Sequence, residues 1–197
     1  MQLSDVALGL QYLHSRSVVH GDLSGVRGLV CIDLGHTYTT NMQLNVLIHG
    51  NGRAFIADFG LSTLLTELGG STFATSFQAR GTLRWAAPEL LDLQSEEDSL
   101  QVVPTPQSDV YSFGGVMLQV LTGKVPYHYY SHDEWVLVAI SKGETPKRPN
   151  QALVTDRRWT FTQRRWTPVD AGRSLLSGDA IVEFTRNELV QLVLPQS

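Results

Sequence analysis

Leu3, Val6, Ala7, Leu10 and Leu13 recur at the i, i+3, i+4, i+7 and i+10 positions of a single helix face, so the chain is predicted to open with a helix that buries that stripe. Val18 and Val19 follow as a short extended approach to His20. Further on, Val46-Leu47-Ile48 and Ala54-Phe55-Ile56-Ala57 flank Gly50-Asn51-Gly52, the pattern of two short strands joined by a tight turn. A second helical period begins at Asp109 and runs through Val110, Phe113, Met117, Val120 and Leu121. Arg157-Arg158-Trp159-Thr160 returns seven residues later as Arg164-Arg165-Trp166-Thr167. Two turns of one helix, tryptophans inward and arginines outward, account for that repeat. A last helix with Ile181, Phe184, Leu189 and Leu192 on one face is predicted to stop near Pro195.

Composition narrows the class without deciding it. With 42% hydrophobic and 17% charged residues over 197 positions, the chain can bury a core and is neither disordered nor fibrous. A net charge of −4 argues against a nucleic-acid surface, which carries a basic excess. No apolar run reaches the ~20 residues of a membrane helix, and Met1-Gln2-Leu3-Ser4-Asp5 has neither the basic nor the apolar region of a signal peptide. One cysteine, Cys31, excludes an internal disulfide, so a cytoplasmic location is expected, with no nucleic-acid or membrane partner.

The informative chemistry emerges when residues 26–43 are set aside. His20-Gly21-Asp22-Leu23-Ser24-Gly25 then runs into Leu44-Asn45, and Asn45 stands five positions after Asp22. Asp58-Phe59-Gly60 follows, then Ala87-Pro88-Glu89, then Ser108-Asp109-Val110-Tyr111-Ser112-Phe113-Gly114. In this order and at these separations the four blocks resemble the C-terminal lobe of a protein kinase. Gly81-Thr82 before Trp85 is similar to the serine/threonine type, and Trp85 to its tyrosine-kinase-like branch. The resemblance implies an α+β kinase-like fold, represented here by the mostly helical C-lobe with a small β-hairpin over residues 1–197. It also implies transfer of the ATP γ-phosphoryl group to a protein hydroxyl, with a protein substrate or signalling partner. A complete kinase places a β-rich lobe with a Gly-rich loop, a strand lysine and a helix glutamate before these blocks. None of these is found before the first helix, so this chain by itself is expected to have no appreciable nucleotide affinity.

By that resemblance Asp22 is the catalytic base. Asn45 and Asp58 are the magnesium ligands, hard oxygen donors suited to Mg²⁺ beside phosphates, and Leu47 lies beneath the adenine ring of ATP. Thr82 is placed to bond Asp22, Phe59 to pack on His20, Arg173 to pair with Glu89, and Asp109 to accept backbone hydrogen bonds from the catalytic loop. The activation segment carries Ser62, Thr63, Thr66, Ser71, Thr72, Thr75 and Ser76 as possible phosphorylation positions. Two residues depart from the pattern. Gly21 replaces an arginine that reads activation-loop phosphate, and Ser24 replaces a lysine that neutralises the transferred phosphoryl group, which weakens transition-state electrostatics.

Residues 26–43 separate the base from a metal ligand, and catalysis needs both held within fractions of an ångström. Three readings compete: an accommodated loop, an inactivating device, or an intron retained and translated in frame. The third fits best. Eighteen codons are 54 bases (18 × 3), Val26-Arg27 can be encoded by a GT-initial donor, Thr40-Asn41 by a branch point and Gln43 by a terminal CAG. The alternative to an enzyme is a catalytically inactive, pseudokinase-type interaction module, which Ser24 and the interrupted loop favour.

Overall fold

A computed structural model describes residues 2–25, 45–49, 52–59, 77, 81–91, 103–152 and 154–173. Helix α1 spans Gln2–Ser15, and all five residues of the predicted stripe are buried. Asp5 in its first turn fastens the hairpin to it: the carboxylate accepts from the Ala54 amide at 3.0 Å and pairs with Arg53 at 3.0 Å. Gly9 marks the closest approach, since a Cβ there would stand 2.9 Å from Ile56 Cδ1.

Strands β1 (Val46–Ile48) and β2 (Ala54–Ile56) form the predicted antiparallel hairpin, with Val46 opposite Ile56, Leu47 opposite Phe55 and Ile48 opposite Ala54. Alternation along a strand sends neighbouring side chains to opposite faces. Val46 and Ile48 therefore enter the core, while Leu47 and Phe55 share the outer face.

Helix α2 (Pro106–Thr122) begins three residues earlier than the apolar period suggests. Thr105 and Ser108 supply the reason. Thr105 Oγ1 accepts from the Ser108 amide at 3.2 Å, Ser108 Oγ accepts from the Thr105 amide at 3.1 Å, and Pro106 occupies the first turn, where its missing N–H costs nothing. With the cap supplied by Thr105, Asp109 does not cap its own helix and its carboxylate is available elsewhere. Buried residues cover almost the whole circumference of α2, so it is the central post of the molecule. One apolar cluster joins α1, the hairpin, Trp85 and α2 residues Phe113, Val116, Met117 and Leu121. A second joins Leu83, Ala87, Leu90, Tyr111, Leu118, Tyr127 and Trp166 to helix α3 (Asp133–Ser141).

Helix α4 covers Asp156–Gln163 and gives way to a single 3₁₀ turn at Arg164–Trp166. The Arg-Arg-Trp-Thr repeat is thus split between two helix types. The tryptophans do turn inward, with ring centroids 5.8 Å apart edge to face. The arginines divide: Arg157 and Arg164 are exposed, whereas Arg158 and Arg165 are buried, which corrects the expectation that all four face outward. Arg165 lies over the Phe161 ring at 4.2 Å, and burial, helped by the nearby Arg164 charge, lowers its pKa to about 10. Among the described residues no helix is long and apolar enough to cross a membrane. The predicted last helix, Cys31, the seven activation-segment hydroxyls and residues 26–43 lie outside the described residues.

Candidate active site

The loop after α1 is fixed from below by the post helix. Asp109, fully buried, accepts from the His20 amide at 2.9 Å and the Gly21 amide at 2.8 Å. His14 Nε2, at the end of α1, reaches the same carboxylate at 2.8 Å. Two successive amides aimed at one carboxylate set the backbone of the loop without using its side chains. This is the arrangement expected of Asp109. The His14 contact was not foreseen, because nothing in a helix-end histidine signals a partner 95 positions away.

His20 is fully buried and reads out two backbone groups. Its Nδ1 accepts from the Asp22 amide at 3.3 Å, and its Nε2 donates to the Ala57 carbonyl at 3.0 Å. That pairing assigns the neutral Nε2–H tautomer. His20 thus ties the residue after next, Asp22, to the residue before Asp58. Gly21 sits at φ +78°, in the left-handed region where glycine is unstrained and an arginine would be strained.

Asn45 is drawn into the same site. Its Nδ2 donates to the Asp22 carbonyl at 2.6 Å, its own carbonyl accepts from the Ala57 amide at 2.8 Å, and Val46 N reaches Gly25 O at 3.4 Å. Asp22 and Asn45 are both buried. Asp58 follows Ala57 directly and stands exposed at φ +58°, a conformation that aspartate tolerates better than most residues. Hydrogen bonds therefore link the backbones of Asp22, Asn45 and Ala57, the residue before Asp58, through the His20 ring and the Asn45 amide. Leu47 is placed on the outward face of β1, 37% exposed, opposite Phe55.

The donor set suits a hard divalent cation beside phosphates. With the Asn45 amide nitrogen committed to Asp22, the atom left to coordinate is the oxygen Oδ1, and the exposed Asp58 carboxylate supplies a second oxygen. The outward apolar pair Leu47 and Phe55 suits the face of a planar base. Ser24 is fully buried, so the position of the family's lysine presents no exposed cation.

Two expected contacts are not made. Thr82 Oγ1 is buried without a hydrogen-bond partner among the described residues, so no Thr82–Asp22 bond forms. Phe59 is 53% exposed and lines a groove with Leu8, Tyr12 and Phe55. It lies over α1 and β2, not in the core beside His20, whose ring nitrogens are satisfied by backbone groups instead.

The segment carrying Ala87-Pro88-Glu89 is pinned at both ends. Arg173, its side chain wholly buried, makes the expected ion pair with Glu89 through both terminal nitrogens, donates Nε to Thr167 O at 2.7 Å and stacks over Tyr111. Arg84 was not singled out from the sequence, although it stands three residues before Ala87. Its guanidinium bonds Asp133 at 2.9 Å and the carbonyls of Tyr127 at 2.9 Å and Tyr130 at 3.1 Å. It staples the 3₁₀ turn Leu83–Trp85 to the start of α3.

The family model described as protein tyrosine and serine/threonine kinase matches residues 1–156. Among curated proteins, the Raf homolog serine/threonine-protein kinase of Caenorhabditis elegans is 31% identical over 94% of this chain and 18% of its own length. Serine/threonine-protein kinase STY46 of Arabidopsis thaliana is 28% identical over 81% of this chain and 24% of its own. The RAF proto-oncogene serine/threonine-protein kinase of Xenopus laevis is 28% identical over 72% and 19%. The chain thus spans about a fifth of the length of these relatives.

Proposed function

Because this chain belongs to the protein tyrosine and serine/threonine kinase family, as its match over residues 1–156 shows, we propose that it is the C-terminal lobe of a serine/threonine kinase acting on protein hydroxyls in the cytoplasm. The observation that carries the reading is the joining of Asp22, Asn45 and Ala57, next to Asp58, through the Asn45–Asp22, Ala57–Asn45 and His20–Ala57 hydrogen bonds. The relatives' names, all serine/threonine-protein kinases, favour an enzyme over an interaction module.

In this reading Asn45 Oδ1 and the Asp58 carboxylate would hold magnesium, which would supply positive charge beside the phosphates of ATP, and Leu47 would support the adenine. Asp22 takes the proton of the substrate hydroxyl as that oxygen bonds to the γ-phosphorus and the bond to the ADP oxygen breaks. Asp109 and His20 hold the loop in place for that transfer. Ser24 leaves the developing phosphoryl charge less well compensated than a lysine would, so a slow enzyme is expected.

The experiment fuses a kinase N-terminal lobe from a relative before Met1, removes residues 26–43 and follows transfer of labelled phosphate to a serine/threonine-containing protein. Activity should exceed that of an Asp22→Asn control by about 10²-fold or more. The unfused chain should show no saturable thermal stabilisation with ATP and magnesium. Transfer no greater than the Asp22→Asn level would overturn the enzyme reading and leave the interaction module.

A further inference from the structure

The hydrogen bond from Val46 N to Gly25 O, at 3.4 Å, spans 21 positions (46 − 25). Without residues 26–43 the same bond would span three (21 − 18), with Leu44 and Asn45 between its ends. A carbonyl receiving the amide three residues on is the closing bond of a β-turn. The geometry points to residues 26–43 being an insertion seated on an already complete turn, so that the chain lacking them keeps the Asp22–Asn45 site and holds it more firmly.

Three observations support this from outside the segment. Ser24, Gly25, Asn45 and Val46, which flank it, are all buried. Leu23 and Val46 belong to one apolar cluster with α1 and α2, so each end is anchored by the core independently. Asn45 reaches Asp22 O at 2.6 Å, a second bond across the same neck. Gly25 and Val46 are thus held at the separation that closes a β-turn. In the present chain these hydrogen bonds and this packing close a span eighteen residues longer than that turn, and closure becomes less favourable as the span grows.

The inference concerns the same site as the kinase reading but rests on stability, so its failure and a failure of phosphoryl transfer are separately visible. Shortening the closed span sevenfold (21 to 3) should raise the closed-to-open ratio of the turn about 20-fold. Two variants of the full chain test it: one deletes 26–43, and the other replaces them with eighteen glycine and serine residues. The deletion is expected to raise Tm by about 3–7 °C and to slow hydrogen exchange of the Val46 amide about 20-fold. The replacement should leave both within experimental scatter of the parent. A deletion that leaves Tm unchanged, lowers it or prevents folding, or a replacement that loses several degrees, would show that 26–43 contribute to the fold and would overturn the inference.

Discussion

At the scale of single residues, Asp109 fixes the backbone of the loop that carries Asp22. Its two oxygens receive the His20 and Gly21 amides and the His14 ring, and the side chain is wholly buried. Removing the carboxylate strands buried donors, each at about 1–3 kcal/mol. Asp109→Ala is therefore expected to cost roughly 3–5 kcal/mol in urea unfolding. Asp109→Asn should cost less, because its Oδ1 still accepts one amide. Equal losses in the two variants would mean the charge, not the hydrogen bonds, matters. Asp109 was readable from its block in the sequence. Thr82 and Phe59 were not: a motif states which residues occur together, whereas a hydroxyl's rotamer and a ring's choice between core and groove depend on neighbours from elsewhere in the chain.

Among the elements, α2 decides how closely the others approach, and two adjacent glycines permit it. A Cβ on Gly115 would lie 2.7 Å from Trp85 Cδ1 and 3.2 Å from Pro126 Cγ, and one on Gly114 would lie 2.7 Å from Trp166 Nε1 and 2.9 Å from Arg165 Cβ. Both glycines have ordinary helical neighbours, so alanine would improve helix propensity by ~1 kcal/mol. Overpacking against the indoles outweighs this. Gly115→Ala is expected to lower stability by about 1–3 kcal/mol net, measured by chemical denaturation. A stabilised variant would show that Trp85 can shift freely. The apolar period located α1 and the hairpin correctly, since each has one buried face and a regular repeat registers it. It placed the start of α2 late because the first turn is built from Thr105, Pro106 and Ser108, residues that cap and carry no apolar signal. It also drew one helix where α4 ends and a 3₁₀ turn begins, a difference in backbone winding to which a seven-residue repeat is insensitive.

Proton balance is a property of the whole molecule, and at high pH two buried phenols outweigh Arg165, whose lowered pKa gives the folded state one proton fewer over the same range. Tyr111 on α2 and Tyr127 in the turn before α3 face each other at 3.5 Å, and Tyr127 donates to the Glu144 carbonyl at 2.8 Å. Burial raises the pKa of Tyr111 to about 12, partly offset by its Tyr127 contact, and burial together with Tyr111 raises that of Tyr127 further. Unfolded tyrosines ionise near pH 10. Between pH 10 and 12 the folded state therefore binds more protons than the unfolded one, so stability is complete below pH 10 and falls as the pH rises. The slope is about 1.4 kcal/mol per pH unit for each tyrosine. Urea melts between pH 9 and 11 should show this decline, and Tyr111→Phe should flatten it. A Tyr111→Phe slope equal to the parent's would mean that Tyr111 ionises in the folded state as readily as in the unfolded.

The sequence by itself determined the family, the helical stripe of α1, the hairpin, the Glu89–Arg173 pair and the hold of Asp109 on the loop, because short-range order and residue chemistry are written locally. Only the tertiary structure decided that Asn45 still meets Asp22 across residues 26–43, that Arg158 and Arg165 turn inward, that Phe59 leaves the core and that Thr82 stays apart from Asp22. The physical reason is the same in each case. Hydrogen bonds and packing between distant segments are settled by the competition of every buried group for a partner and a space, and no local pattern encodes the outcome of that competition.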